Sequence, residues 1–307
     1  MNLEVFSLGT SGMMPLPNRF LTSVLVRREG ELFLFDCGEG TQVSLKMLNL
    51  KWKKISAIFI SHMHADHVTG LPGLMMLSSQ VDREDPLYIY GPAKLGEYIE
   101  SSKKILDMYI NYEIRFVPVE PGEIYRGEDF SINCFQLNHT KLCYGYSLVE
   151  DMRKGEFYPE KAMELGIPKG PLYGKLQRGE TVTLEDGRSI TPDMVMGKAR
   201  EGRKFSYVTD TLYFPQIADY VHDSDILFCE GMFEDELKSS AKEKKHMTAV
   251  EAAKIARDSH SQMLCLQHYS PRYSDKELKV LHKEAKEIFP NTILTKDRMS
   301  FEIPLKD

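Results

Sequence analysis

The sequence feature that most constrains this chain is the motif SHMHADH at residues 61–67, which follows a run of apolar residues. Three imidazoles and a carboxylate at the end of a predicted buried strand are costly to bury unless they bind something. His62 and His64 point the same way on an extended segment, and the turn that follows lets Asp66 and His67 face a second point. The motif therefore predicts a metal centre with room for two adjacent ions.

The chemistry of these side chains narrows the choice of metal. Imidazole nitrogens and a carboxylate without cysteine favour Zn²⁺, with Mn²⁺ or Fe as alternatives. A His-rich surface loop is the competing interpretation, and it is disfavoured because four ligand-type residues coincide with a strand end. The pattern His-x-His-x-Asp-His after an apolar strand resembles the metallo-β-lactamase superfamily. That resemblance implies an α/β protein with a four-layer αββα sandwich.

The composition is that of an ordinary globular protein. The 307 residues are 42% hydrophobic and 27% charged, which is enough apolar material for a large core. No repeat, low-complexity tract or linker divides the chain, so we expect a single metallo-β-lactamase-like domain over residues 1–307. The net charge of −6 gives no global sign of a nucleic-acid partner, because such binders usually carry a basic surplus. Any RNA-binding surface would have to be local.

The cysteines and the apolar runs indicate the compartment. Five cysteines, an odd number, are spread widely through the chain, as in a protein that keeps its thiols reduced. Residues 1–9 are too polar and too short for a signal peptide, and no apolar run approaches the length of a membrane span. We therefore expect a cytoplasmic protein with no membrane association.

Other ligand-type residues also fall at predicted strand ends. His139, Asp210 and His268 each follow a short apolar run, and strand ends in an α/β sandwich gather at one edge. We therefore hypothesise a dinuclear centre in which Asp210 bridges the two ions. One ion would be held by His62, His64 and His139, and the other by Asp66, His67 and His268.

Asp36 also ends a predicted strand. A carboxylate at this position could orient a metal-bound histidine by accepting a hydrogen bond from its ring. It could equally cap the turn and the helix that follow. The sequence leaves both interpretations open.

Further motifs narrow the resemblance to the ribonuclease Z family of tRNA 3′-processing endonucleases. The signature FDCGEGTQ occupies residues 35–42, GLPGL follows the histidine motif at residues 70–74, and GPLYGKL lies at residues 170–176. His246 and the His268-x-Ser270 pattern complete the family's order. The match spans nearly the whole chain.

This resemblance implies a zinc-dependent endoribonuclease that removes the 3′ trailer from precursor tRNA. The products would be a 3′-hydroxyl on the tRNA and a 5′-phosphate on the trailer. Two Zn²⁺ ions per subunit are implied, and they would share the charge that builds at phosphorus. Asp66 would act as ligand and proton acceptor, while His246, steered by Glu230, would protonate the leaving 3′-oxygen.

The segment between residues 151 and 198 differs from the rest of the chain in pattern and composition. The alternation typical of strands fades there, and Gly, Pro, Lys and Glu dominate. From Arg153 to Arg178 there are six basic residues and three acidic ones. Charge alone favours a solvated insertion without a partner. The resemblance implies instead a protruding flexible arm, an exosite that binds precursor tRNA and often serves the neighbouring subunit of a homodimer. The predicted substrate-binding residues are Arg19, Gly170, Pro171, Lys175, Ser270 and Arg272.

Two other functions compete with this interpretation. One is another dinuclear hydrolase of the same fold, which would act on a small phosphodiester, a lactam or a thioester. The other is a non-catalytic RNA-binding member of the fold, although a binding module would not need all seven predicted ligands. Metal analysis and substrate tests separate these alternatives.

Overall fold

Two seven-stranded sheets form the larger of two units in the chain, which comprises the residues up to Val149 and Lys204–Pro304. The structure is a computed structural model, and it describes residues 2–81 and 83–306. In the first sheet the strand order is β16-β1-β2-β3-β4-β5-β6. These strands are β1 Leu3–Gly9, β2 Ser23–Arg28, β3 Glu31–Phe35, β4 Ile55–Phe59, β5 Leu87–Gly91, β6 Ile114–Pro118 and β16 Ser300–Glu302.

The second sheet has the order β15-β14-β13-β12-β9-β8-β7. Its strands are β7 Gly122–Arg126, β8 Phe130–Asn138, β9 Leu142–Glu150, β12 Lys204–Val208, β13 Ile226–Glu230, β14 Leu264–Gln267 and β15 Thr292–Leu294. Strands β3 to β6 run parallel to one another, and so do β12 to β15. The carboxyl ends of the parallel strands in each sheet therefore share an edge.

Alternation along the strands explains why the sheets pack face to face. Phe33 and Phe35 of β3 point into the core between the sheets, whereas Leu32 and Leu34 point to the other face, as the two-residue period of a strand requires. Tyr207 and Phe228 of the second sheet meet the first sheet in the same core. Each sheet thus has two buried faces.

Helices cover the two outer faces. The helices in this unit are α1 Thr41–Met47, α2 Ala65–Val68, α3 Leu71–Ser79, α4 Lys94–Ile105, α7 Ile217–Tyr220, α8 Lys238–Lys244, α9 Ala249–Asp258 and α10 Leu278–Ile288. Apolar residues of α1, α3 and α4 pack on the first sheet, and those of α7, α9 and α10 pack on the second. The predicted four-layer αββα architecture is therefore confirmed.

The smaller unit comprises Glu150–Arg203 and the residues from Leu305 onward. It contains α5 Pro159–Glu164, α6 Pro171–Gln177 and the short hairpin strands β10 Val182–Thr183 and β11 Ser189–Ile190. It has an apolar cluster of its own, formed by Ala162, Ile167, Leu176, Val182, Ile190 and Val195. The predicted arm, residues 151–198, falls inside this unit, and its role as a tRNA-binding arm stays a prediction.

A buried ion pair closes the two ends of the smaller unit's main segment. The Arg203 guanidinium donates from Nε to Oε2 of Glu150 at 2.7 Å and from Nη2 to Oε1 at 2.8 Å. Both side chains are almost fully buried, so each charge depends on the other for compensation.

Among the described residues, none of the helices has the length and apolar character needed to cross a membrane.

Candidate metal centre

Four of the predicted ligands form one cluster beyond the carboxyl ends of β4, β8 and β12. His62 Nε2 lies 2.9 Å from His64 Nδ1, and His139 Nε2 lies 3.1 Å from the same nitrogen. Oδ2 of Asp210 is 3.6 Å from Nε2 of both His62 and His139. Side chains from both sheets therefore converge on one point.

The other three predicted ligands form an adjacent cluster with the second oxygen of Asp210. Nε2 of His67 and Nε2 of His268 are 3.2 Å apart, and Oδ2 of Asp66 is 3.4 Å from the His268 nitrogen. Oδ1 of Asp210 lies 3.3 Å from His67 Nε2 and 3.1 Å from His268 Nε2. Asp210 thus presents one carboxylate oxygen to each cluster, as the predicted bridging role requires.

The donor set fits a pair of divalent cations. Ligands about 2.1 Å from a tetrahedral Zn²⁺ are separated from one another by about 3.4 Å, which is close to the spacings seen here. Direct hydrogen bonds cannot explain the first cluster fully, because His64 Nδ1 faces two other ring nitrogens at once, and it carries at most one proton. Ring nitrogens that face one another in this way, two of them on the buried His62 and His139, call for a shared cation.

The contacts of Asp36 distinguish between the two roles that the sequence left open, which are orienting a histidine and capping the turn and helix that follow. Its buried carboxylate accepts hydrogen bonds from His67 Nδ1 at 2.7 Å, from the hydroxyl of Tyr207 at 2.6 Å, and from both the backbone N–H and the hydroxyl of Ser61. The carboxylate therefore holds the ring of a predicted metal ligand, and its hydrogen bonds go to His67, Tyr207 and Ser61 rather than to the helix that follows. That this contact serves a metal site stays a prediction. Because Asp36 holds Nδ1 of His67, Nε2, which faces Asp210, is the atom available to a metal.

Similar contacts set the tautomers of two other histidines. His139 Nδ1 donates to the carbonyl oxygen of Lys245 at 2.9 Å, so its Nε2 is the atom available to a metal. His62 Nδ1 lies 3.0 Å from the Ser61 hydroxyl, which itself donates to Asp36 at 2.8 Å. The supporting groups thus present lone pairs to the site, as metal-ligating histidines require.

His246 lies beside both clusters and is paired with a buried carboxylate. Its Nδ1 is 2.9 Å from Oε2 of Glu230, and the other oxygen of Glu230 accepts the backbone N–H of Thr211 at 2.6 Å. His246 precedes α9, whose first turn is fixed by a capping box between Thr248 and Glu251. The predicted contact between Glu230 and His246 is therefore present, and it leaves Nε2 of His246 free to meet a substrate.

Burial and charge give the histidines of the site different protonation states. Burial lowers the pKa of His139 to about 4 despite the opposing effect of Asp210, so this ring is neutral, as a ligand must be. Burial also acts to lower the pKa of His246, but Glu230 and then Asp210 outweigh it and raise that pKa to about 9. Bound cations nearby would pull the pKa of His246 back down. Without bound ions, the His246 ring therefore carries at neutral pH the proton that a general acid needs.

The loop after β1 contributes contacts that the sequence did not reveal. The backbone N–H of Met13 donates to Oδ2 of Asp66 at 2.7 Å. A Cβ atom on Gly12 would lie 2.6 Å from the ring of His268, so only glycine lets the ring reach its place. His268 itself has a φ of 57°, a left-handed conformation that non-glycine residues adopt mainly at constrained sites. In the sequence, the Gly9-Thr10-Ser11-Gly12 turn after β1 is the feature that could have pointed to this loop.

The predicted substrate-binding residues of the larger unit have different environments. Arg19 is buried, and its Nη2 donates to the carbonyl oxygen of Tyr273 at 2.7 Å. Ser270 is buried two residues after the ligand His268, whereas the exposed guanidinium of Arg272 lies 5.1 Å from the ring centre of Phe233. Their roles toward a substrate stay predictions.

The other predicted substrate-binding residues lie at the start of α6 in the smaller unit. Gly170 precedes the helix with a φ of 153°, and Pro171 is its first residue. Gly170, Pro171 and Lys175 are exposed. This helix start is thus open to solvent, and a contact with tRNA stays a prediction.

Comparison with known proteins identifies the family. A family model described as Anti-Pycsar protein Apyc1 matches residues 3–155, a stretch that ends before Asp210, Glu230, His246 and His268. A protein of Treponema denticola named Ribonuclease Z is 61% identical over 308 residues, and the alignment covers all of both chains. The chain belongs to the ribonuclease Z family.

More distant members of the ribonuclease Z family agree with this assignment. The Ribonuclease Z of Methanosarcina acetivorans is 40% identical, with 99% of each chain covered. The crystal structure of human tRNase Z, short form, has a TM-score of 0.71 and 25% sequence identity, covering 98% of this chain and 100% of that one. The resemblance inferred from the motifs is therefore confirmed over the full length, beyond the half that the Apyc1 model matches.

Proposed function

We propose that this protein is the endoribonuclease that removes the 3′ trailer from precursor tRNA. Full-length membership of the ribonuclease Z family is the observation that carries the proposal. The complete set of ligand-type residues and the paired His246 and Glu230 support it, because hydrolysis of a phosphodiester needs both a nucleophile and a proton donor. A non-catalytic RNA-binding role would leave these residues without a purpose.

The proposed cofactors are two Zn²⁺ ions per subunit, with Mn²⁺ or Fe as alternatives. One would be held by His62, His64, His139 and one oxygen of Asp210, and the other by Asp66, His67, His268 and the second oxygen of Asp210. When bound, the ions would supply Lewis-acid activation of water and neutralise negative charge on the phosphate. The chain holds three of these donor rings in place through hydrogen bonds: Asp36 holds His67, Ser61 holds His62, and the carbonyl oxygen of Lys245 holds His139.

The proposed proton transfers use two side chains, one acting on the attacking water and one on the leaving group. Water attacks phosphorus, the bond from phosphorus to the 3′-oxygen of the tRNA breaks, and the trailer keeps the phosphate at its 5′ end. Asp66 accepts the proton of the attacking water, while its carboxylate is held by the N–H of Met13. His246 gives the proton on Nε2 to the departing 3′-oxygen, and Glu230 stabilises the charged ring.

The proposed tRNA-binding surface is in the smaller unit. Lys169, Lys175 and Arg178 are exposed there, and Arg178 is paired with Glu180. Exposed cations suit the phosphate backbone of an RNA without reading its sequence. Such an arm would give local affinity for RNA to a chain whose net charge is −6.

We also propose that the protein works in the cytoplasm as a homodimer. Apolar side chains on the outer face of the first sheet's helices support association, because Val43 and Met47 of α1 and Met76 of α3 are 42%, 63% and 40% exposed. Exposed apolar residues on neighbouring helices are a common basis for association of identical chains.

A cleavage assay tests the proposed function. Purified protein is incubated with a 3′-extended precursor tRNA, with and without a chelator, and both new ends are mapped. We expect one principal cut at the trailer boundary, a 3′-hydroxyl on the tRNA, and loss of activity with chelator that added Zn²⁺ restores. Absence of cleavage by the metal-loaded protein, or cleavage that resists metal removal, would contradict the proposal.

A second candidate is hydrolysis of a small phosphodiester, because the clustered donor atoms could hold the same ions without any RNA-binding surface. The comparison is between kcat/KM for precursor tRNA and kcat/KM for bis(p-nitrophenyl) phosphate. The endonuclease function predicts a much higher value for the tRNA, since binding away from the reacting phosphate contributes only with the large substrate.

A further inference from the structure

Two histidines that the proposed function does not use meet at the opposite end of the second sheet. His222 and Asp223 precede β13, and His260 precedes β14. The strands run parallel, and the metal centre lies beyond their other ends, where Glu230 and His268 are found. The two turns therefore form a separate cluster within the larger unit.

The three side chains present their donor atoms to a common point. One nitrogen of each histidine and one carboxylate oxygen of Asp223 all lie within 4.8 Å of one another. His222 Nε2 is 3.1 Å from Oδ2 of Asp223. The two imidazole ring centres are 5.3 Å apart with an angle of 58° between the planes, so the rings are inclined to each other rather than stacked flat.

Backbone hydrogen bonds hold the two turns together. The N–H of Asp223 donates to the carbonyl oxygen of Ser259 at 2.8 Å, and the N–H of Gln262 donates to the carbonyl oxygen of Ser224 at 2.8 Å. Ser224 and Ser259 are buried beneath the exposed donors. The main chain thus fixes the positions of the three Cα atoms, and only side-chain rotation is needed to tighten the cluster.

We propose that His222, Asp223 and His260 bind a divalent transition-metal ion, with Zn²⁺ as the physiological candidate. Two imidazoles and one carboxylate form a donor set that suits Zn²⁺, Cu²⁺ and Ni²⁺ better than Mg²⁺ or Ca²⁺, which prefer oxygen. The side chains of His222 and Asp223 are 54% and 58% exposed. Binding there costs little desolvation, and water completes the coordination shell.

The neighbouring charges set the strength of this site. The Lys204 ammonium donates to the carbonyl oxygens of Tyr220 and His222, so one cation lies close by and opposes a second. Arg257 is paired with Asp258 next to the turn. With one carboxylate and these cations nearby, the site is weaker than the buried centre. An ion bound there would tie the two turns together and stabilise the folded chain.

Calorimetric titration of the zinc-loaded protein with Zn²⁺ tests the proposal. The protein is first saturated at the buried centre and freed of excess metal. The test variant is H222Q/H260N, where asparagine is chosen because His260 has a φ of 55°, which Asn tolerates. The control is H282Q, which removes a histidine whose Nε2 donates to the carbonyl oxygen of Thr292.

We expect one additional Zn²⁺ per chain in the wild type and in H282Q, and at least about tenfold weaker binding in H222Q/H260N. Added Zn²⁺ should raise the unfolding temperature of the first two proteins and leave that of the test variant unchanged. Precursor-tRNA cleavage should be equal in the wild type and H222Q/H260N, which also shows that the test variant is folded. Absence of an additional ion in the wild type up to millimolar Zn²⁺, or equal binding by the test variant, would overturn the proposal.

Discussion

At the scale of single residues, the carboxylate of Asp36 connects the two sheets beneath the metal centre. It follows β3 of the first sheet and accepts the hydroxyl of Tyr207 from β12 of the second. The same side chain accepts Nδ1–H of His67. The orientation of one proposed ligand, His67, therefore depends on the relative position of both sheets.

Replacing Asp36 by Asn should weaken metal binding by about 10- to 100-fold, because the neutral amide is a poorer acceptor for the His67 ring and places a donor among groups that already donate. Competition with a chromophoric chelator measures the affinity. Tyr207→Phe, which removes one hydroxyl and keeps the carboxylate, serves as the milder comparison. Unaltered zinc affinity in Asp36→Asn would argue against the orienting role.

His246→Asn should lower kcat for precursor tRNA by about 10²- to 10⁴-fold while the bound metal content stays the same. The loss should be much smaller for bis(p-nitrophenyl) phosphate, whose leaving group departs without a proton. Parallel kinetics on the two substrates make the comparison. Equal losses on both would show that His246 acts through the structure of the site rather than as a proton donor.

The sequence predicts the proposed ligands but not everything that supports them. The motif from His62 to His67 is contiguous and falls at a strand end, so its geometry follows from local rules. The Lys245 carbonyl that holds His139 is more than a hundred residues away along the chain, and a backbone atom carries no side-chain signature. Contacts of that kind depend on tertiary packing alone.

At the scale of elements, apolar runs and capping motifs are the features that sequence patterns predict best. Apolar runs predict β4 and β12, and Thr248 and Glu251 predict the capping box of α9. Strand β9 escapes prediction, because nearly all of its residues are buried and a strand buried on both faces shows no alternation. The exposed strand β7 escapes it for the opposite reason, since it has few apolar residues.

The smaller unit is the element whose function is most open to test. K169E/K175E should weaken binding of precursor tRNA. It should also make the plot of the logarithm of the binding constant against log salt concentration shallower, by about one for each phosphate that the arm no longer neutralises. The matched control is K94E/K104E, which reverses two exposed lysines of α4. Filter binding at several salt concentrations gives both quantities. Hydrolysis of the small phosphodiester should be unchanged in both variants, and a similar loss of RNA binding in the two would contradict a specific arm.

At the scale of the whole molecule, the proposed homodimer makes a prediction about mass. Sedimentation equilibrium should give twice the 35.2 kDa of the chain. M47E/M76E should shift the protein toward the monomer, because burying a carboxylate at an apolar contact is unfavourable. Ile105→Glu, at a position 76% exposed on α4, is the matched control and should stay dimeric. A monomeric wild type would contradict the proposal.

Asp210 limits the routes by which such an enzyme can change during evolution. On the proposed assignment, each of its two oxygens serves a different ion, so a single substitution there disables both halves of the centre together. Losing one ion while keeping the other requires a change at a residue that faces only one cluster, such as His139 or His268. Descendants that work with a single ion should therefore retain this aspartate and differ at one of those histidines.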